Sequence, residues 1–210
     1  MSGQKSTYIS LLLILIALVA VACQKQAQGN STDASIKVLS PPTALTTLED
    51  RGPLTDFSLT DHKGRKVTLA DLKGQVWVAD FFFTNCVAAC PTMTARMAKL
   101  QQSLATTGLR LVSITVDPEH DTTAVLAQYA QRAGAKDDQW LFLTGEKAKI
   151  IELSVEGFRL SASEDPNTHS QRLVLVDREG HIRGYYRSDD DGEIEQLRRN
   201  AEALLKAEKS

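Results

Sequence analysis

Positive charge is not in excess in this sequence: 24 Lys and Arg stand against 26 Asp and Glu, a net charge of -2 with histidine neutral. Without a basic surplus the chain is a poor match for a phosphate backbone, which argues against nucleic acid as a partner. Long apolar runs are missing too. The main one, Ile9 to Ala22, spans 14 residues and is broken only by Ser10; a helix needs roughly 20 to cross a bilayer. With 42% hydrophobic and 24% charged residues, the composition excludes both a multi-span membrane protein and a disordered chain. No internal repeat is visible, so one globular domain is expected.

What stands at the amino terminus is an address. Lys5, the apolar run and the absence of any acid before Asp33 form a secretory leader. Ala20-Val21-Ala22-Cys23 places small residues directly before a cysteine, which resembles the lipobox of bacterial lipoproteins with Ala20 where Leu is usual. Cleavage after residue 22 with lipidation of Cys23 is expected; the alternatives are an uncleaved amino-terminal anchor and a leader cut elsewhere. Either of the first two tethers the domain to a membrane. Gln24 to Thr47 is rich in Gln, Ser, Thr, Ala and Pro and has no aromatic residue, the composition of a flexible spacer.

Beyond the spacer, Phe57, Leu59, Val67 and Leu69 alternate with polar residues around Asp61-His62-Lys63-Gly64, predicting an amino-terminal hairpin. Val76 to Phe83 is a nearly continuous apolar run, as for a strand buried on both faces. Met93, Met97, Leu100 and Leu104 then recur at helical spacing, with Pro91 suited to the first turn. A second βα unit is expected from a strand at Leu109–Val116 and a helix from about Asp121 to Arg132, and a third from Trp140–Leu143 and a helix at Glu146–Val155. A hairpin at 173–176 and 182–186 and a helix over 193–206 close the chain. Together these predict an α/β, thioredoxin-like sandwich with a central mixed sheet flanked by helices.

Cys86 and Cys90 lie four apart where a buried strand meets a helix. Unpaired N–H groups at a helix start favour thiolate over thiol, and thiolates serve both soft-metal binding and disulfide exchange. A structural disulfide is the plainer alternative, but so short a loop contributes little entropy. Four histidines could supply a third ligand. His62 and His181 fall at hairpin turns, where solvated side chains are expected. His120 follows the second strand on the rim that carries the cysteines, and His169 precedes the strand at Leu173; on pattern alone both stay open.

Phe81-Phe82-Phe83-Thr84-Asn85-Cys86 with Cys90-Pro91, then Ser113-Ile114-Thr115-Val116-Asp117-Pro118-Glu119-His120-Asp121-Thr122, then His169-Ser170 before Leu173-Val174-Leu175-Val176-Asp177, resembles the Sco/SenC family of copper chaperones for cytochrome c oxidase. The resemblance runs from about Pro53 to Tyr186. It implies copper, as Cu(I) or Cu(II), held by Cys86, Cys90 and His169, and delivery to an oxidase subunit, most simply its CuA site, or to another cuproprotein. It also implies a thiol reductant for the two redox-active cysteines and a place on the extracytoplasmic face of a bacterial membrane. Val87 and Thr168 depart from the family pattern, which usually has Pro after the first cysteine and Asp before the histidine. The expected organisation is a leader over 1–22, a tether over 23–50 and a copper-binding domain over 51–210. A thiol-disulfide oxidoreductase is the alternative function, whereas nothing specific points to peroxide chemistry.

Overall fold

The computed structural model describes residues 48–136 and 138–207; the leader, Cys23 and residues 24–47 of the expected tether lie outside them. Strands β1 (Ser58–Asp61) and β2 (Lys66–Thr68) form the expected hairpin, with Leu59 opposite Val67. Its turn is tied by the buried Asp61 carboxylate, which accepts from the backbone N–H of Lys63 at 2.9 Å and of Arg65 at 2.8 Å. The strand does not continue to Leu69 as the alternation predicts. Asp71 accepts from both the N–H and the hydroxyl of Thr68 at 2.8 and 2.6 Å, which starts the short helix α1 (Leu69–Leu72). Replacing Asp71 with Ala should therefore lower the urea midpoint of unfolding.

The six residues of β3 (Trp77–Phe82) are all buried. Helix α2 (Cys90–Ser103) carries the chain to β4 (Arg110–Thr115), parallel to β3, and α3 (Thr123–Ala133) carries it to β5 (Trp140–Thr144), parallel to β4. Met93, Met97 and Leu100 bury the inner face of α2, as their spacing requires. Helix α4 (Lys147–Glu152) widens into a π turn at Leu153–Gly157. Phe158 follows, fully buried, with its ring edge-to-face on Trp77 and Phe81 at 6.0 and 5.2 Å.

Strand β6 (Arg172–Val176) runs antiparallel to β3, and β7 (Ile182–Arg187) antiparallel to β6. Helix α5 (Asp191–Lys206) starts earlier than the hydrophobic pattern suggests because Asp190 caps it, accepting from Glu193 N–H at 3.0 Å. The sheet order is β2-β1-β5-β4-β3-β6-β7, a mixed seven-stranded sheet flanked by helices with an amino-terminal hairpin, as expected. Its direction pattern fixes the rest: the ends of β3 and β4 and the start of β6 share one rim.

Residues from Leu48 onward bond to this domain, beginning with the Arg183 guanidinium, which donates to the Leu48 carbonyl at 2.9 Å. Arg51 N–H donates to Ile182 carbonyl at 2.9 Å, and Ile182 N–H returns a bond to Gly52 carbonyl at 3.0 Å. The Arg159 guanidinium donates to the carbonyls of Arg51 and Pro53 at 2.8 and 3.3 Å. These bonds lay residues 51–53 against the start of β7.

Candidate metal centre

The loop leaving β3 turns at once: Cys86 N–H donates to Phe83 carbonyl at 3.3 Å. Cys86 is left half-buried, while Cys90, the first residue of α2, is fully buried. Neither is in a disulfide. His169 comes from far along the sequence, after a 3-10 turn at Pro166–Thr168. Pairing of Ala79 with Val174 carries the residues just before β6 to the end of β3, and so sets His169 8% exposed beside the cysteine loop. Its Nε2 is 3.6 Å from Cys90 Sγ, and its ring stands edge-to-face on Phe83 at 5.8 Å.

The tautomer follows from the other nitrogen. Nδ1 lies 3.0 Å from Ser170 carbonyl, an oxygen that only accepts, so Nδ1 carries the proton and the Nε2 lone pair faces the sulfur. Burial holds the imidazole below its usual pKa, which keeps it neutral and fit to ligate. A first-row metal bonded at about 2.3 Å to sulfur and about 2.0 Å to imidazole, at tetrahedral to trigonal angles, would hold the two ligand atoms roughly 3.5–3.8 Å apart. The observed separation fits two ligands of one ion. Among the described residues no three His, Cys, Asp or Glu side chains already stand at metal-binding distance, so Cys86 and the imidazole would close on an ion as it entered.

The two thiols are electrostatically unequal. Burial opposes ionisation of Cys86, but hydrogen bonds from the Cys90 thiol and from the N–H groups of Cys90, Ala88 and Ala89 outweigh it and hold Cys86 below the usual thiol value. For Cys90, burial first and the Cys86 sulfur second push the pKa up to about 12. An accessible, ionisable sulfur thus sits over a buried, protonated one, an arrangement that can capture a soft cation or attack a disulfide.

A family model described as SCO1/SenC matches residues 47–206. The chain belongs to the SCO1/SenC family. The SCO1 protein homolog of Bacillus subtilis is 37% identical over 133 residues, covering 60% of this chain and 69% of that protein. A SCO1/SenC family lipoprotein from Bacillus anthracis has 33% identity and a TM-score of 0.68, covering 72% of this chain and 94% of its own. BsSco, a member of the Sco family of cytochrome c oxidase assembly proteins in which a disulfide switch has been identified, has 29% identity and a TM-score of 0.68, covering 76% and 98%. ScoI of Bradyrhizobium japonicum, solved with copper bound, is similar in fold at 24% identity and a TM-score of 0.57, covering 71% and 99%.

The other histidines of this SCO1/SenC chain are placed elsewhere. His120 is on the shared rim, but its exposed ring pairs with Asp117 at 3.0 Å. His181 binds Asp50 at 2.9 Å, and His62 accepts from Phe142 N–H at 3.4 Å, so both turn histidines hold neighbouring segments rather than standing free in solvent. Sequence reasoning missed Asp121. Its fully buried carboxylate ties the end of β4 to the loop that carries Cys86, and only a search for acids on the rim as well as histidines would have raised it. Where the SCO1/SenC pattern usually has Pro, Val87 is 94% exposed at the loop tip.

Proposed function

We propose that this protein is a membrane-tethered copper chaperone in which Cys86, Cys90 and His169 bind one copper ion and pass it by ligand exchange to a cuproprotein, most simply the CuA site of cytochrome c oxidase. The observation that carries the reading is the neutral His169 Nε2, lone pair toward Cys90 Sγ at 3.6 Å. Two thiolates and one imidazole form a soft, incomplete set, better suited to Cu(I) than to the closed tetrahedral shell of structural zinc. Family membership and the copper bound to the B. japonicum relative support the choice of metal. The apolar leader and Cys23, together with the B. anthracis relative's description as a lipoprotein, support anchoring on the extracytoplasmic face of a bacterial membrane.

Titrating the reduced soluble domain with Cu(I) against a competing chelator tests the reading, with Cu(II) loading followed by thiolate-to-copper charge-transfer absorption. One equivalent should bind, and Cys86→Ala or Cys90→Ala should abolish the band. Because Cys90 keeps its proton far above neutral pH, capture must expel it, and affinity should fall roughly tenfold per pH unit on acidification. Absence of binding, or binding indifferent to both cysteines, would remove the assignment.

The unequal thiols favour a second reading, a thiol-disulfide oxidoreductase that reduces cysteines of a partner. There Cys86 would attack and Cys90 would resolve the mixed disulfide. This activity has no use for a histidine ligand.

A further inference from the structure

We infer that Asp121 is a positioning residue for the metal centre, acting through Thr84 to fix Cys86; the inference deepens the copper reading and, for its metal readout, rests on it. Asp121 is fully buried in the loop after β4. One carboxylate oxygen accepts from Thr84 N–H at 3.0 Å and from the Thr115 hydroxyl at 2.5 Å, and the other accepts from the Thr84 hydroxyl at 2.5 Å. Thr115 is the last residue of β4, so the clamp is anchored in the sheet. Thr84 is the second residue beyond β3 and stands two before Cys86.

Three donors converging on one buried carboxylate leave Thr84 little freedom, since both its backbone and its side chain are held. Cys86 in turn is held by its N–H bond to Phe83 carbonyl. The sulfur is therefore carried by a loop fastened at its base to two strands. Charge-assisted bonds of this kind in the interior are strong and geometrically demanding. His169 follows a segment fixed by bonds within it, such as Ser163 to Thr168 and Asp165 to Asn167, and by the Lys147–Glu164 ion pair at 3.3 Å. The loop that carries Cys86 is thus prearranged at its base, so that only short movements of the sulfur and the imidazole are needed to close on an ion.

Thr84→Val, Thr84→Ser and Asp121→Asn test this. Thr84→Val keeps the backbone bond and the Thr115 bond, so the fold should survive even where Asp121→Asn does not. Loss of a group that orients a ligand typically weakens metal binding 10–100-fold. Cu(I) affinity should drop by at least about tenfold in Thr84→Val, while Thr84→Ser stays within about threefold of wild type; because Thr84→Val leaves one buried Asp121 oxygen without its donor, its thermal midpoint should fall below that of Thr84→Ser. In the metal-free protein the equilibrium constant for oxidising Cys86 and Cys90 with glutathione disulfide, which yields one internal disulfide and two glutathione thiols, should fall by about tenfold in Thr84→Val. That constant measures how well the two sulfurs are held together. Affinity and disulfide constant both within about threefold of wild type in Thr84→Val would overturn the inference. If wild type binds no Cu(I), the copper reading fails separately and the disulfide constant alone decides the role of Asp121.

Discussion

Replacing His169 with Ala will weaken Cu(I) binding by at least about a hundredfold while leaving thiol–disulfide exchange within about threefold of wild type. Changing groups that only orient a ligand already reaches this order, and removing a direct ligand from a three-member set should match or exceed it. The exchange chemistry is spared because the groups that hold Cys86 below the usual thiol value are the Cys90 thiol and the N–H groups of Cys90, Ala88 and Ala89; no histidine is among them. The variant thus separates the two proposed activities. Chelator competition gives the affinity, and the rate of mixed-disulfide formation with glutathione disulfide gives the exchange. Retained copper affinity would dismiss the ligand assignment; loss of both activities would mean that the imbalance between the thiols depends on the imidazole packed against Cys90.

A second large effect concerns stability. Asp80 lies at the centre of β3, fully buried, with one carboxylate oxygen lacking any hydrogen-bond partner. Burial raises its pKa to about 7, partly offset by a bond to Ser113, whose hydroxyl oxygen also accepts from the Trp140 indole at 2.9 Å. The folded protein therefore keeps this proton up to about pH 7, whereas an unfolded chain releases it near the ordinary aspartate value of about 4. Between those values the folded state binds more protons, so stability is lost as pH rises through that window. At about pH 8 the loss approaches roughly 3–4 kcal/mol. Asp80→Asn, uncharged throughout, should flatten the slope and exceed wild type at about pH 8 by roughly 2–3 kcal/mol. Urea denaturation of the reduced, metal-free domain across this range checks it. A variant less stable than wild type at every pH would show that the carboxylate is held by partners stronger than Ser113.

Much of the fold was legible because buried strands and amphipathic helices leave strong periodicities. The β3 run, the methionine stripe of α2 and both hairpins stand where the pattern puts them. Local polar chemistry set the misplaced boundaries: Asp71 ended a strand early and Asp190 began a helix early. The centre was less legible. Four-residue spacing at a strand–helix junction marks Cys86 and Cys90 directly. His169 meets Cys90 only because β6 is antiparallel to β3, a pairing invisible to periodicity, so its singling out depended on family resemblance. Asp121 stands in the quoted rim motif, but its role arises from contact between two rim loops, which no local pattern displays.

The two outermost strands of the sheet end quietly. β2 has only three residues, beginning with Lys66, and the start of β7 is already bonded to residues 51–53. Strand margins with open backbone groups invite pairing with neighbouring molecules, and short, charged or covered margins resist it. Where copies are concentrated, such margins would discourage edge-to-edge polymerisation and favour separate molecules.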